Sequence, residues 1–242
     1  MIGVQFYFVK NNPYLVRRIP IRARNFNLVK MTDSSIHQGQ RAILCNTLKE
    51  KGIAGDRVLQ AMNRIPRHWF LESGFHQHAY QDKAFPIAAN QTISHPSTVA
   101  WQSELLEVER GQKILEIGTG SGYQAAVLCE LGVKLFTIER HKELFDFSQL
   151  MLQILGYRAE QKFGDGFKGM PVFAPFDRII VTCGAPYVPK ELLKQLKPGG
   201  IMIIPVGEGT QKMVRIQKNT DGTFVQKVLG DAAFVPMLKD RE

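Results

Sequence analysis

Between residues 36 and 65 apolar side chains recur at helical spacing. In A-I-L-C-N-T-L-K-E-K-G-I the pattern places Ile43, Leu44, Thr47 and Leu48 on one face, and Gly52 ends the helix. D-R-V-L-Q-A-M-N-R-I repeats it with Val58, Leu59, Met62 and Ile65, and Pro66 stops the second helix. A loop-rich stretch from Pro66 leads to N-Q-T-I-S-H-P, Asn90 to Pro96, ahead of the helical T-V-A-W-Q-S-E-L-L-E-V. From Lys113 the period changes. Short apolar runs, K-I-L-E-I, K-L-F-T-I-E, R-I-I-V-T and I-M-I-I-P-V, alternate with the helical Y-Q-A-A-V-L-C-E-L, K-E-L-F-D-F-S-Q-L-M-L-Q-I-L and P-K-E-L-L-K-Q-L.

Strand–helix alternation predicts an α/β fold: a doubly wound, mostly parallel, Rossmann-like sheet with an N-terminal helical subdomain. K-P-G-G reads as a turn, and M-V-R-I-Q-K with T-F-V-Q-K-V-L as a terminal hairpin around N-T-D-G. The expected division is an extension over 1–35, a helical and substrate-site piece over 36–110, and a cofactor-binding sheet over 111–242.

Composition adds exclusions. No run approaches ~18 apolar residues, so no membrane span is expected. Cys45, Cys129 and Cys183 are odd in number and far apart, which suits a reducing, cytoplasmic setting. The net charge of +9 invites a nucleic-acid reading. Yet six of the 31 basic residues and none of the 22 acidic ones fall in residues 1–30, which leaves the remainder at only +3. Basicity belongs to the head, and no nucleic-acid partner is expected. Met31, followed by T-D-S-S, would serve equally well as a start. H-Q-H at His76 and His78 has no third ligand at a recognisable spacing, so no metal site is expected.

E-I-G-T-G-S-G, Glu116 to Gly122, follows the first parallel strand and opens a helix, where ligands bind in open α/β sheets. The dinucleotide fingerprint fails, because its third glycine position is Tyr123; the glycines instead alternate at Gly118, Gly120 and Gly122, with Thr119 between. Glu139 ends the second strand, 21 residues after Gly118, placed to accept both hydroxyls of a ribose and unfavourable to a 2′-phosphate. G-D-G, Gly164 to Gly166, closes the third strand region. This set resembles the S-adenosyl-L-methionine-binding sheet of class I methyltransferases. The resemblance implies Glu116, Gly118, Thr119, Gly120, Gly122, Glu139, Asp165 and Gly166 as cofactor contacts, with S-adenosyl-L-homocysteine as product.

The acceptor is harder to read. The [ND]-P-P-[FY] motif of nucleic-acid amino methyltransferases is missing; V-T-C-G-A-P stands there. Cys183 could add to a pyrimidine or could be a small buried residue, and the second reading is favoured. N-Q-T-I-S-H-P itself admits two readings: a capped helix start, or an anion site at a helix N-terminus.

In order, V-L-Q-A-M-N-R-I-P-R-H-W-F, A-Y-Q-D-K-A-F-P-I, Q-T-I-S-H-P, the glycine loop, P-F-D-R-I-I-V-T, L-K-P-G-G and F-V-P-M closely resemble the protein-L-isoaspartate O-methyltransferase family over residues 36–238. That resemblance implies methylation of the free α-carboxylate of L-isoaspartyl residues in damaged proteins. It implies Ser94 and Thr92 as catalytic, with Ile93, His95 and the late Gln211 near the cofactor, and a monomeric protein without membrane contact. On this reading the hydroxyls hold an acidic substrate and capping is their secondary role. Departures are Ala88 and Ala89 where the family usually has glycine, and His95 where several members have glutamine. Two rivals remain: a methyltransferase of a small molecule or RNA, and a cofactor-binding module without turnover.

Overall fold

The computed structural model describes residues 31–242. Residues 1–30, most of the expected extension, lie outside the described residues. The next few residues are tied down: the Asp33 carboxylate accepts both Arg41 Nη atoms at 3.0 and 2.9 Å, and the Thr32 carbonyl lies 3.1 Å from His68 Nε2.

Helices α1 (Ser35–Glu50) and α2 (Asp56–Arg64) form the front piece. Ser34 caps α1 by accepting the His37 N–H. The buried face of α1 is Arg41, Leu44, Cys45 and Leu48, rotated from the expected one. Ile43 is exposed, and Arg41 takes an interior position because Asp33, the Asn63 carbonyl and Tyr80 Oη satisfy its guanidinium. Periodicity in apolar residues cannot foresee a buried arginine. The face of α2 is as expected, with Val58, Leu59 and Met62 buried and Ile65 just beyond.

The stretch read as loop contains a hairpin, β1 (Phe85–Ile87) and β2 (Gln91–Ile93), paired antiparallel from Phe85↔Ile93 to Ile87↔Gln91. Its turn carries positive φ at Ala89 (56°) and Asn90 (54°), with Gln91 N–H on the Ala88 carbonyl. Without the usual glycine the backbone still takes the left-handed turn, at an alanine's steric cost. Helix α3 (Pro96–Leu105) follows with Pro96 in its first turn.

The remaining elements are β3 (Lys113–Ile117), α4 (Tyr123–Glu130), β4 (Lys134–Glu139), α5 (Lys142–Ile154), β5 (Ala159–Phe163), β6 (Phe176–Val181), α6 (Lys190–Gln195), β7 (Leu196–Val206), β8 (Gln211–Lys218) and β9 (Phe224–Ala232). They build a seven-stranded sheet in the order β5-β4-β3-β6-β7-β8-β9. The pairs from β5 to β7 are parallel, and β8 and β9 are antiparallel. K-P-G-G is absorbed into β7 as an irregularity: pairing jumps from Phe176↔Leu196 to Arg178↔Ile201, with Gly199 at φ 76°.

Side chains alternate across the sheet. Ile114 joins a core with Leu48, Met62, Leu128 and Ile203, whereas Leu115 and Ile117 join another with Phe176, Leu192 and Met202. The first core is continuous from the front helices to the sheet. From β3 the chain winds outward through β4 to β5, then returns to β6 on the other side of β3. The carboxyl ends of β3 and β6 therefore border the crevice where doubly wound sheets bind ligands.

Candidate active site

At that crevice lies a cleft of about 840 Å³, open to solvent. It is lined by the glycine loop with Ile138 and Glu139, by the hairpin strand and its continuation, Gln91 to Ser94, and by Val235 to Leu238.

The loop needs its glycines for stated reasons. Gly118 has φ 93°, and a Cβ there would meet Thr182 Oγ1 at 2.8 Å. Thr182 Oγ1 donates toward the Ile117 and Gly118 carbonyls at 2.8 and 2.5 Å, fixing the loop's start. Gly120 has φ 54°, and a Cβ there would meet only Ile87 Cδ1 at an ordinary 3.9 Å, so there the requirement is backbone conformation. Its N–H donates to Glu139 Oε2 at 2.7 Å. The other carboxylate oxygen accepts the N–H groups of Arg140 and His141 at 2.8 and 2.9 Å. A sequence separation of 19 residues thus becomes direct contact, with an acid held by three backbone donors at the cleft wall. Gly166 lines the cleft, and a side chain there would run into Ile117 Cγ2.

Thr92, Ile93, Ser94, Gly118, Thr119, Gly120, Glu139 and Gly166 all line this cleft. Thr92 and Ser94 also line a small adjoining pocket, together with His95. Among the described residues neither hydroxyl hydrogen-bonds to another protein group, and Ser94 is half-buried while Thr92 is exposed. They do not cap α3. His95 occupies the cap position without a side-chain bond, and the Asp82 carboxylate accepts the Ser97 N–H at 2.9 Å. The helix entrance expected to help an anion is therefore partly taken by a protein carboxylate. Arg67, fully buried, donates Nη2 to the Ser94 carbonyl at 2.7 Å.

The other expected contacts sit off the wall. Gly122 opens α4 at φ 87° against Ser148. Asp165 caps the turn after β5 by accepting the Phe167 N–H. Gln211 grips the C-terminal segment, accepting the Phe234 N–H at 2.9 Å. Glu116 lies beneath the loop: Oε2 accepts Thr137 Oγ1 at 2.6 Å, that hydroxyl meets Thr119 Oγ1 at 2.6 Å, and Oε1 has no partner. Burial pushes its carboxyl up to about 8, against the Thr137 hydrogen bond and with help from Glu139. Cys183 reaches the cleft, but burial pushes its thiol up to about 12, which denies it the thiolate a nucleophile needs.

Sequence reasoning missed Gln91, Tyr123 and Gln124 on the wall. Each lay inside a quoted motif, without a chemical signature of its own. Gln124 donates to Ser103 Oγ at 2.8 Å while its Oε1, buried at the cleft, has no partner. A glycine cradle, an acid at the second strand end and an unsatisfied buried acceptor fit a nucleoside that carries a diol and cationic groups. The residues therefore suit S-adenosyl-L-methionine.

Comparison with known proteins agrees. The profile of protein-L-isoaspartate(D-aspartate) O-methyltransferase matches residues 38–242. A protein-L-isoaspartate O-methyltransferase of Christiangramia forsetii is 54% identical over 212 residues, 87% of this chain and 100% of that protein. One of Cytophaga hutchinsonii is 56% identical over 86% of this chain and 95% of its own. A solved protein-L-isoaspartate O-methyltransferase shares the fold with TM-score 0.75 and 29% identity, over 81% of this chain and 65% of that longer one. A Plasmodium falciparum structure described as a protein-L-isoaspartate O-methyltransferase, in complex with S-adenosyl-L-homocysteine, shares the fold with TM-score 0.72 and 24% identity, over 84% of this chain. With fold, cleft and relatives in agreement, the chain belongs to the protein-L-isoaspartate(D-aspartate) O-methyltransferase family.

Proposed function

We propose that the two walls of the cleft divide the work of a repair methyltransferase, the glycine loop and Glu139 holding the methyl donor and Thr92 with Ser94 the acceptor. The protein is an S-adenosyl-L-methionine-dependent carboxyl methyltransferase that acts on L-isoaspartyl residues of damaged proteins. The cofactor supplies a methyl group on a positively charged sulfur.

An isoaspartyl carboxylate is ionised at neutral pH, so no general base is required. What the protein must supply is alignment and partial removal of water. Ser94 and Thr92 donate hydrogen bonds that orient the carboxylate without the strong ground-state stabilisation of a contact ion pair. Glu139 accepts the ribose hydroxyls, Asp165 and Gly166 flank the adenine end, and Ile93 packs between donor and acceptor. Glu116 lies beneath the loop, off the cleft wall, where a bound cation favours its ionised form, and Gln211 with His95 supports the methionine end indirectly. Val235 to Met237 clamp the substrate backbone.

The observation that carries this division is the pair of hydroxyls that line the same cleft as Glu139 and have no hydrogen-bond partner among the described residues. The reading further takes the protein as a cytoplasmic monomer without nucleic-acid or membrane partners. Three unpaired cysteines and a net charge concentrated in residues 1–30 support it. Among the described residues no helix is long and apolar enough to cross a membrane.

The test uses methyl-labelled S-adenosyl-L-methionine with two peptides that differ in one L-isoaspartyl or L-aspartyl linkage. Base-labile label on the isoaspartyl peptide alone is expected. Label on neither, with cofactor binding intact, would overturn the acceptor assignment.

A further inference from the structure

Arg67 is buried completely and forms no ion pair with any carboxylate among the described residues. Its Nε donates to the Ala79 carbonyl at 3.0 Å, and Nη2 donates to the Ser94 carbonyl at 2.7 Å and toward the Lys83 carbonyl at 3.4 Å. Its guanidinium carbon lies 4.8 Å from the Tyr123 ring centroid, and among the described residues Nη1 has no hydrogen-bond partner. Tyr123 itself lines the cleft. Tyr123, Tyr80 and the Asp82 carboxylate favour its charge, and that carboxylate also accepts the Ser97 N–H.

An unpaired buried cation with an unsatisfied donor is costly, and a packing role alone does not call for one. A methionine would fill similar volume without that cost. Three carbonyl contacts do pin residues 79–94, the segment that carries the hairpin. They do not account for a charge with no carboxylate in contact among the described residues.

We propose that Arg67 is a positioning residue for the acceptor, a buried positive charge that acts through the Ser94 peptide to draw a carboxylate to the Ser94 hydroxyl without touching it. The inference rests on the acceptor wall assigned above. Its logic follows from the fate of charge in the reaction. The acceptor oxygen is anionic when it binds and neutral once it carries the methyl group. A guanidinium in contact with that oxygen would stabilise the bound anion more than the transition state and slow transfer. Held one peptide unit away, the same charge favours arrival of an anion and leaves the attacking oxygen unpaired. The Ser94 carbonyl, drawn toward the cation, also polarises its peptide unit. The charge lies beneath protein on every side, so mobile ions do not screen it as they would a surface arginine.

The experiment compares Arg67→Met, which keeps volume and removes charge, with Arg67→Lys, which keeps charge and loses the planar fork. Steady-state kinetics on an isoaspartyl peptide are read beside calorimetric binding of S-adenosyl-L-methionine and thermal melting. Arg67→Met is expected to raise KM for the peptide by about ten- to thirtyfold, the effect of losing one poorly screened charge near an anion. Its kcat should stay within about threefold of wild type and cofactor affinity within about twofold, and Arg67→Lys should recover most of the KM. A folded Arg67→Met with unchanged KM overturns the inference, as does a collapse of kcat at constant KM, which a pin alone would give.

Should both variants fail to fold, the wild-type protein decides. The isoaspartyl peptide and its isosteric carboxamide are titrated in the presence of S-adenosyl-L-homocysteine. At least about tenfold tighter binding of the carboxylate is expected; equal affinities overturn the inference. A wild-type protein without turnover on the isoaspartyl peptide would remove the acceptor assignment and this inference together. An active wild type with an unaltered variant KM removes this inference alone.

Discussion

Replacing Glu116 by glutamine should stabilise the protein, and should do so more strongly as the pH rises. Glu116 is fully buried on β3, with one carboxylate oxygen on Thr137 Oγ1 and the other without a partner. Burial is the main reason that its carboxyl titrates near 8, against 4.5 for the free group. The folded value is the higher one. The favourable contribution of the protonated carboxyl is therefore complete below about pH 4.5 and is lost as the pH climbs through about 8. At about 1.36 kcal/mol per pKa unit, the loss between pH 5 and pH 8 is about 3 kcal/mol. Glutamine has the same shape, does not titrate and can accept the Thr137 hydroxyl. For a protein of this size each kcal/mol moves Tm by roughly 2–4 °C, so the variant's lead in Tm should widen by roughly 6–12 °C over that range. Differential scanning calorimetry at pH 5, 6, 7 and 8 and constant ionic strength reads it directly. A Tm difference that does not change with pH would refute the reasoning. The same variant should bind S-adenosyl-L-methionine more weakly, because a cationic ligand above the site is what would draw the proton off Glu116. Titration calorimetry in buffers of different ionisation enthalpy would detect that proton for wild type and not for the variant.

Ser94→Ala should lower kcat/KM on an isoaspartyl peptide by about 10- to 100-fold, the value of one hydrogen bond to a charged group. Its Tm should hardly move because the hydroxyl has no protein partner, and equal losses of rate and Tm would count against its role. Ala89→Gly relieves a positive φ of 56° and should raise stability by about 0.5–1 kcal/mol after the entropic cost of glycine; a lower urea midpoint would contradict this. Asp82→Ala removes the carboxylate on the Ser97 N–H and should lower stability by about 1 kcal/mol in urea titrations, whereas no change would mean that water replaces the cap. Burial holds His68 at about 4, below the usual 6.5, so its contribution is present above pH 6.5 and is lost as the pH falls through 4. Between pH 7 and 5 the loss is about 2 kcal/mol, and His68→Gln should flatten that slope in urea unfolding at the two pH values.

The sheet was legible because its strands are short apolar runs between glycine-closed helices, and β3, β4 and β6 fall where those runs lie. The wall built from Gly118, Gly120 and Glu139 was legible for a related reason: spacing along one βαβ unit becomes distance in the fold. What escaped depends on partners far away in sequence. Arg41 displaces Ile43 from the interior because Asp33 and Tyr80 receive it, which an apolar count cannot register. Asp82, fifteen residues from Ser97, caps α3 where a local hydroxyl was expected. Glu116 belongs to the glycine motif, yet strand alternation turns it beneath the loop with Ile114, away from the cleft. The hairpin was hidden because each strand has three residues, too few to show alternation.

The uninterrupted core that joins Leu48 and Met62 to Ile114, Leu128 and Ile203 bears on how the protein can be re-engineered. Acceptor preference and cofactor preference cannot be traded as cassettes along a cut near residue 110. A chimera would set one parent's helix faces against another parent's sheet, with each mismatched methylene left as a void or a clash. Libraries aimed at new acceptors belong on the rim, at the turn 88–90 and the exposed Pro236 and Leu238, where side chains can change without reopening that seam.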